Sequence, residues 1–145
     1  MKEGRVGRTV LDCIFSRVTN TFYILDVLIW ADHPLMDCEV SVYYYVFKWK
    51  LTDNILQAEF RFYWLKSKFE ENPEMVEGRG EDEYKFVPLP CVAASAPEIE
   101  NILSGNQPFS ETMDGVLFFH KEAHYTPGIS PLVIWLLPYM VPEVC

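Results

Sequence analysis

The chain has 145 residues, half of them apolar, with 12 basic and 21 acidic side chains. This length is typical of one domain that buries a hydrophobic core of its own. The net charge of −9 disfavours a surface that coats a phosphate backbone, while a nucleotide held in a local pocket stays compatible with it.

The apolar runs and the cysteines favour an intracellular, soluble protein. The longest apolar runs, such as PLVIWLLPYMV, are well short of the roughly 20 residues of a membrane-spanning helix, so we expect no membrane contact. No apolar leader follows the charged start MKEGRVGR. Four scattered cysteines, without C-x-x-C spacing, indicate neither a zinc knuckle nor a secreted disulfide scaffold.

Two β-branched and aromatic runs near the start predict a hairpin. We place the strands near residues 9–18 and 21–30, separated by the polar stretch 16–21. The second run is apolar almost throughout, which is typical of a strand covered on both faces. We therefore expect it near the centre of the sheet.

The segment FRFYWLKSKFEE predicts a short helix, because Phe60, Trp64 and Phe69 fall near helical spacing with charges on the opposite face. The next stretch, 70–83, is acidic, contains Pro and Gly and has no periodic apolar pattern. It predicts an exposed acidic loop.

A second helix is predicted after Ser95. This residue stands three before Glu98, which is a capping-box pattern, and an apolar stripe beginning with Ile99 follows until Gly105 ends the helix. The predicted fold class is α+β, with mostly antiparallel sheets and a few short helices.

The segments DGVLFFHKEAHY and PLVIWLLPYM predict two further strands around the turn TPGIS. His120 and His124 are four apart, but the order H-K-E-A-H is not H-E-x-x-H, and a strand would hold the two rings too far apart to share a metal. We expect no metal site. G-x-S-x-G and Gly-rich phosphate-loop motifs are absent from the sequence.

Five motifs, taken in order, resemble the trimethylguanosine-cap-binding domain of snurportin, the nuclear import adaptor for spliceosomal small nuclear ribonucleoproteins: TVLDCIF, FYILDVLIW, FRFYWLKSK, DGVLFFHKEAHYTPG and PLVIWLLPYMV. The resemblance runs from Thr9 to Val144 apart from residues 40–57. It implies RNA-cap binding of trimethylguanosine-capped small nuclear RNA and shuttling between cytoplasm and nucleus. It also implies protein transport with importin beta, through a segment that we expect this chain to lack.

That family in turn resembles the nucleotidyltransferase domain of mRNA capping enzymes and ligases, whose motifs include D-G-E and K-W-K. Here LDCIF and VIWLL take those places, so Ile14 replaces a carboxylate, and Ile134 and Leu136 replace lysines. The metal ligand and the charged partners of the phosphates are then lost. No K-x-D-G nucleophile motif is present either. The resemblance thus implies a protein without enzymatic activity, cofactor or metal.

Trp135 is the principal candidate for the binding site. Composition alone favours a core residue, since aromatic side chains dominate cores. The resemblance implies instead that its indole stacks on the methylated guanine, whose positive ring it attracts. Leu132 and Leu137 are candidates for the pocket lining, with plain packing as the alternative. Arg5 and Arg8 are the candidates for contacts with the cap phosphates, in place of a family lysine.

Residues 40–57 interrupt a segment where the family runs almost directly from D-C to F-R-F-Y-W. The stretch begins with Val and ends with Gln, whose codons can supply the GT and AG of intron boundaries. Our hypothesis is a retained intron or a gene-model artefact; a lineage-specific hairpin is the alternative, because YYYVFKWKL has strong strand propensity.

Residues 1–145 are thus interpreted as a partial, N-terminally truncated cap-binding domain. The alternative function is a non-catalytic, nucleotidyltransferase-like domain that mediates protein contacts without binding cap.

Overall fold

The computed structural model describes residues 7–35, 58–78, 83–106, 109–137 and 139–140. Within these residues the strands and helices are, in chain order, β1 Val10–Ser16, β2 Thr21–Trp30, β3 His33–Pro34, α1 Ala58–Glu71, α2 Glu74–Glu77, β4 Lys85–Pro88, α3 Ala96–Leu103, β5 Val116–Phe119 and β6 Val133–Leu136. The pairing is mostly antiparallel and the helices are short, so the predicted α+β class is confirmed.

Strand β2 is the centre of the larger sheet, as its continuous apolarity predicts. β1 pairs antiparallel along it through the predicted hairpin, and β4 pairs in parallel with its first four residues, while β3 pairs antiparallel with its last two. Register shifts interrupt the β1–β2 ladder between Val10 and Leu11 and between Asp12 and Cys13. Such shifts change which face a side chain reaches.

The hydrophobic core lies between β2 and α1. Its buried members are two residues of β2, Leu35 after β3, and two residues of α1, namely Ile24, Val27, Leu35, Leu65 and Phe69. α1 confirms the predicted helix, but the expectation that its charges lie opposite the core is wrong for Arg61. That side chain is 1% exposed, because it pairs with Asp26 in the buried centre of β2.

The structure of residues 70–83 and of α3 agrees only in part with the sequence predictions for these two segments. Within 70–83, the predicted acidic loop, α1 continues to Glu71 and α2 forms a single turn whose Met75 and Val76 pack against the core. α3 confirms the second predicted helix. Its N-cap Ser95, however, makes no side-chain capping hydrogen bond within the described residues; its backbone carbonyl accepts from the Ile99 amide.

Strands β5 and β6 form a separate antiparallel sheet, which confirms the last predicted strand pair in shorter form. The expectation that His120 and His124 lie in a strand is wrong: β5 ends at Phe119, and the Ala123 amide donates to the His120 carbonyl in a turn. None of the helices in the described ranges is long and apolar enough to cross a bilayer.

The carboxylate of Glu111 ties the loop before β5 to the hairpin of the larger sheet. It accepts a hydrogen bond from Thr19 Oγ1 at 2.7 Å and one from the Tyr23 hydroxyl at 2.6 Å. These two donors hold the pKa of Glu111 well below its ordinary value, at about 2. The loop is thereby positioned against the turn between β1 and β2.

Candidate functional site

Trp135 lies in the middle of β6 and is 60% exposed. Its partner across the β5–β6 ladder is Leu117. Since residues two apart on a strand and directly opposite residues share a face, Trp135, Val133, Leu117 and Phe119 lie on one face of this hairpin. A tryptophan in the core would be far less exposed, so the indole offers surface to a ligand.

The edge of the indole rests on Gly115, the residue before β5. A Cβ built on Gly115 would lie 1.7 Å from Trp135 Nε1 and 2.5 Å from Cδ1. The five-membered ring therefore occupies the space in which any other residue at position 115 would place its side chain. A side chain at position 115 would therefore force the indole or the backbone of residue 115 to shift.

A cleft of about 220 Å³ opens on the same face of the β5–β6 hairpin. Leu117, Phe119 and Val133 form its wall on the hairpin side. The larger sheet, α1 and the loop between β5 and β6 supply the other lining residues, which are Asp12, Leu25, Asp26, Arg61, His124, Tyr125, Thr126, Gly128 and Ser130. Since Leu117 both pairs with Trp135 and lines the cleft, the exposed indole and the cleft are neighbours.

A buried ion pair anchors the cleft. Arg61 Nε lies 2.8 Å from Asp26 Oδ1, and Nη2 lies 2.9 Å from Oδ2, so the guanidinium binds the carboxylate with two parallel hydrogen bonds. Nη1 donates to the carbonyl of the buried Ala123 at 3.0 Å. One side chain of α1 thus joins the central strand to the loop that closes the cleft.

Asp12 gives the cleft a second carboxylate. Its Oδ2 accepts a hydrogen bond of 3.3 Å from the Tyr125 hydroxyl. Burial, and then the negative charge of Asp12, raise the pKa of Tyr125 above its ordinary value, so the hydroxyl stays a donor. The same two causes raise the pKa of the neighbouring Cys13 thiol to about 11. A negative cleft favours positively charged or hydrogen-bond-donating groups and repels phosphates.

The other predicted site residues lie at different places in the fold. Leu132 is exposed just before β6, and Leu137 is half-buried just after it, so both flank the strand of Trp135. Arg8 is exposed; its backbone amide donates to Asp32 Oδ1 at 2.8 Å, which holds it at the turn between β2 and β3. Arg5 lies outside the described residues.

The three apolar replacements predicted from the motif comparison occupy ordinary strand positions. Ile14 on β1 and Ile134 on β6 are both exposed, while Leu136 is half-buried. Ile134 pairs with Phe118 and Leu136 pairs with Val116, so both lie on the face of the hairpin opposite Trp135. Among the described residues, no three or more His, Cys, Asp or Glu side chains are grouped so that they could hold a metal ion.

Sequence reasoning missed four residues of this site: Asp12, Gly115, Arg61 and Tyr125. A signal existed for Arg61, which stands four residues before Leu65 and eight before the core residue Phe69. That spacing puts it on the buried stripe of α1. No comparable pattern marks Asp12 or Tyr125, which meet only through the tertiary fold.

Comparison with known protein families gives a match that covers most of the chain. The family described as Snurportin1, m3G cap-binding domain, matches residues 2–57 and 54–138. The two matched segments overlap at residues 54–57, the end of the stretch 40–57, which lies outside the described residues; the origin of this stretch as an insertion stays a prediction. The family resemblance drawn from the sequence motifs is confirmed.

Proposed function

The chain belongs to the snurportin m3G cap-binding-domain family, and we propose that it binds the trimethylguanosine cap of spliceosomal small nuclear RNAs. The observation that carries this proposal is the exposed indole of Trp135 on β6, beside a cleft. The family is one of binding domains, which agrees with a role in recognition. We propose no catalytic step.

Charge supports recognition of the methylated base. A guanine methylated at N7 carries positive charge on its ring system, and the electron-rich face of an indole attracts such a ring by stacking and cation–π terms together. The neighbouring carboxylate of Asp12 adds attraction for a cation. Unmethylated guanine is neutral, so it gains neither the cation–π attraction nor the attraction to Asp12. Methylation is therefore expected to raise the affinity.

The same charges orient the ligand. The cleft holds Asp12 and an Asp26 that is already neutralised by Arg61, so the triphosphate gains nothing by entering it. The base therefore sits at Trp135 and the phosphates point away from the cleft. Arg5 and Arg8 stay the proposed phosphate contacts, and Leu132 and Leu137 stay the proposed pocket lining.

The import role extends this proposal. A domain that holds the cap acts as the cargo-recognition part of a nuclear import adaptor, which would work in cytoplasm and nucleus with an importin beta receptor. The alternative is a domain with the same fold that mediates protein contacts and does not bind the cap. A binding measurement therefore separates the two.

The test compares the wild type with Trp135→Ala by calorimetric titration of a trimethylguanosine dinucleotide cap. Loss of one stacked base costs about 1–3 kcal/mol, which weakens binding by about 5- to 150-fold. Tyr63→Ala is the matched control, because Tyr63 on α1 is also 60% exposed but does not line the cleft. We expect this control to bind as the wild type does.

Thermal unfolding of the same variants separates stacking from packing. Truncating a core tryptophan costs about 3–5 kcal/mol, and a 60% exposed one should cost clearly less. If Trp135→Ala binds the cap as tightly as the wild type, the stacking role is refuted. If the wild type itself fails to bind, the interaction domain without cap binding becomes the better account.

A further inference from the structure

We propose that Gly115 is a positioning residue for cap recognition: the absence of a side chain at position 115 sets the orientation in which the Trp135 indole receives the base. This inference rests on the proposed function for its consequence in binding. The steric relation between the two residues stands without it.

The conflict that a side chain at position 115 would create comes from space and not from backbone conformation. The glycines of the described residues with positive φ are Gly78, Gly105 and Gly128, and Gly115 is not among them. An alanine could therefore adopt the backbone of Gly115 without strain. Its methyl group, however, would meet Trp135 Nε1 at 1.7 Å, a distance at which one of the two groups must move.

The indole is the group that moves. Gly115 belongs to the backbone next to β5, which the β5–β6 ladder holds in place. Trp135 is 60% exposed and has open space on its solvent side. A methyl group at 115 therefore pushes the five-membered ring outward, into a different χ1/χ2 combination. The stacking face then takes a different orientation relative to Leu117 and the adjoining cleft.

A small reorientation matters because stacking depends on the angle and overlap of two flat groups. The indole contacts Gly115 along the Nε1 edge, with Cδ1 and Cε2 also within 3 Å of the built Cβ. This contact limits the positions that the ring can take before the ligand arrives. Preorganisation of this kind improves affinity, because less side-chain freedom is lost on binding.

A purely structural role is the competing explanation. An aromatic ring that covers a glycine on a neighbouring strand can stabilise a sheet by itself. This role predicts that Gly115→Ala lowers the unfolding temperature and affects binding only through stability. The large exposure of Trp135 favours the positioning role, since an indole placed for sheet stability alone would bury more of its surface.

The experiment combines Gly115→Ala and Trp135→Ala as single and double variants, with Thr112→Ala, at an exposed position of the same loop, as a control. Cap affinity is measured by calorimetry, and the indole N–H resonances by two-dimensional NMR. The Trp135 signal is assigned as the one missing in Trp135→Ala. We expect Gly115→Ala to shift this resonance and to weaken cap binding by at least about fivefold, with an unfolding temperature close to that of Thr112→Ala.

The double variant tests whether the two residues act as one unit. We expect Gly115→Ala to have no effect on binding once Trp135 is alanine, since there is no ring left to displace. An equal loss in both backgrounds would overturn the proposal, as would an unshifted indole resonance. If Gly115→Ala unfolds while the double variant folds, the pair acts through stability and the proposal is also overturned.

These outcomes are distinct from failure of the proposed function. If Trp135→Ala binds as the wild type does, cap stacking is refuted, whatever the NMR shift of Gly115→Ala shows. If Trp135→Ala weakens binding but Gly115→Ala binds as the wild type does, the function stands and only the role of Gly115 is refuted.

Discussion

The ion pair between Asp26 and Arg61 supports the sharpest stability prediction. Arg61→Met keeps most of the aliphatic stem but removes the guanidinium, whose partners include both oxygens of Asp26 and the Ala123 carbonyl. Asp26 is 2% exposed, so its charge is left buried and unpaired. Removing one partner of a buried pair costs about 3–5 kcal/mol. Total stabilities are about 5–15 kcal/mol, so the variant loses between about a fifth and all of its stability.

Urea unfolding followed by tryptophan fluorescence measures the effect. With a slope m of about 2 kcal/mol/M, the loss lowers the midpoint by roughly 1.5–2.5 M at unchanged m. The control is Lys66→Met, which removes a positive charge from the same helix. Lys66 is 4.0 Å from Glu70 and both side chains are largely exposed, so the control should lose at most about 1 kcal/mol.

A second variant checks the cause of the loss. Asp26→Leu combined with Arg61→Met removes both charges, and we expect it to recover part of the stability. Recovery is incomplete, because the amide of Val27 and the carbonyl of Ala123 each lose a buried partner. If Arg61→Met unfolds at the same urea concentration as Lys66→Met, the pair does not anchor α1 and the reasoning is refuted.

Three further predictions concern titration and chain organisation. Because hydrogen bonds depress the pKa of Glu111 from 4.5 to about 2, its contribution to stability is complete above pH 4.5 and is lost as the pH falls towards 2. Tyr23→Phe removes one donor and should raise this pKa in a carboxyl NMR titration; an unchanged pKa would contradict the assignment. Cys13 has a pKa of about 11, so it should react with iodoacetamide at pH 8 more slowly than the exposed Cys91. Peptide mass spectrometry measures both rates, and equal rates would show that burial does not protect Cys13. Deleting residues 40–57 should leave a folded and more soluble domain, because the deletion removes five aromatic residues; a lower melting temperature would show that the stretch is an integral strand.

The local patterns of the sequence predicted the elements better than the contacts between them. Strands β1, β2, β5 and β6 and helices α1 and α3 follow from periodicity, branching and capping residues close in sequence. The parallel pairing of β4 with β2 did not, because residues 85–88 follow β2 only after β3, α1 and α2. Pairing over such a distance leaves no local pattern.

The candidate site also combines features that the sequence predicted with contacts that it did not. The resemblance directed attention to Trp135, but neither its steric dependence on Gly115 nor the contact between Asp12 and Tyr125 follows from spacing. Arg61 is an intermediate case: a lone charge on an apolar helix stripe and a lone charge at Asp26 in an apolar strand predict each other as partners. When each of two apolar segments carries one charge of opposite sign, a contact between the two charges can be predicted before the structure is known.

The buried contacts at the start of α1 also affect how long the preceding connection can be. Leu35 and Ala58, which flank residues 36–57, are both buried, and Arg61 fixes the start of the helix independently of that connection. For a flexible link between fixed ends, lengthening it from four residues to twenty-two costs only about 1.5 kcal/mol. With its two ends held in this way, the junction is expected to tolerate inserted sequence, labels or affinity tags at small thermodynamic cost.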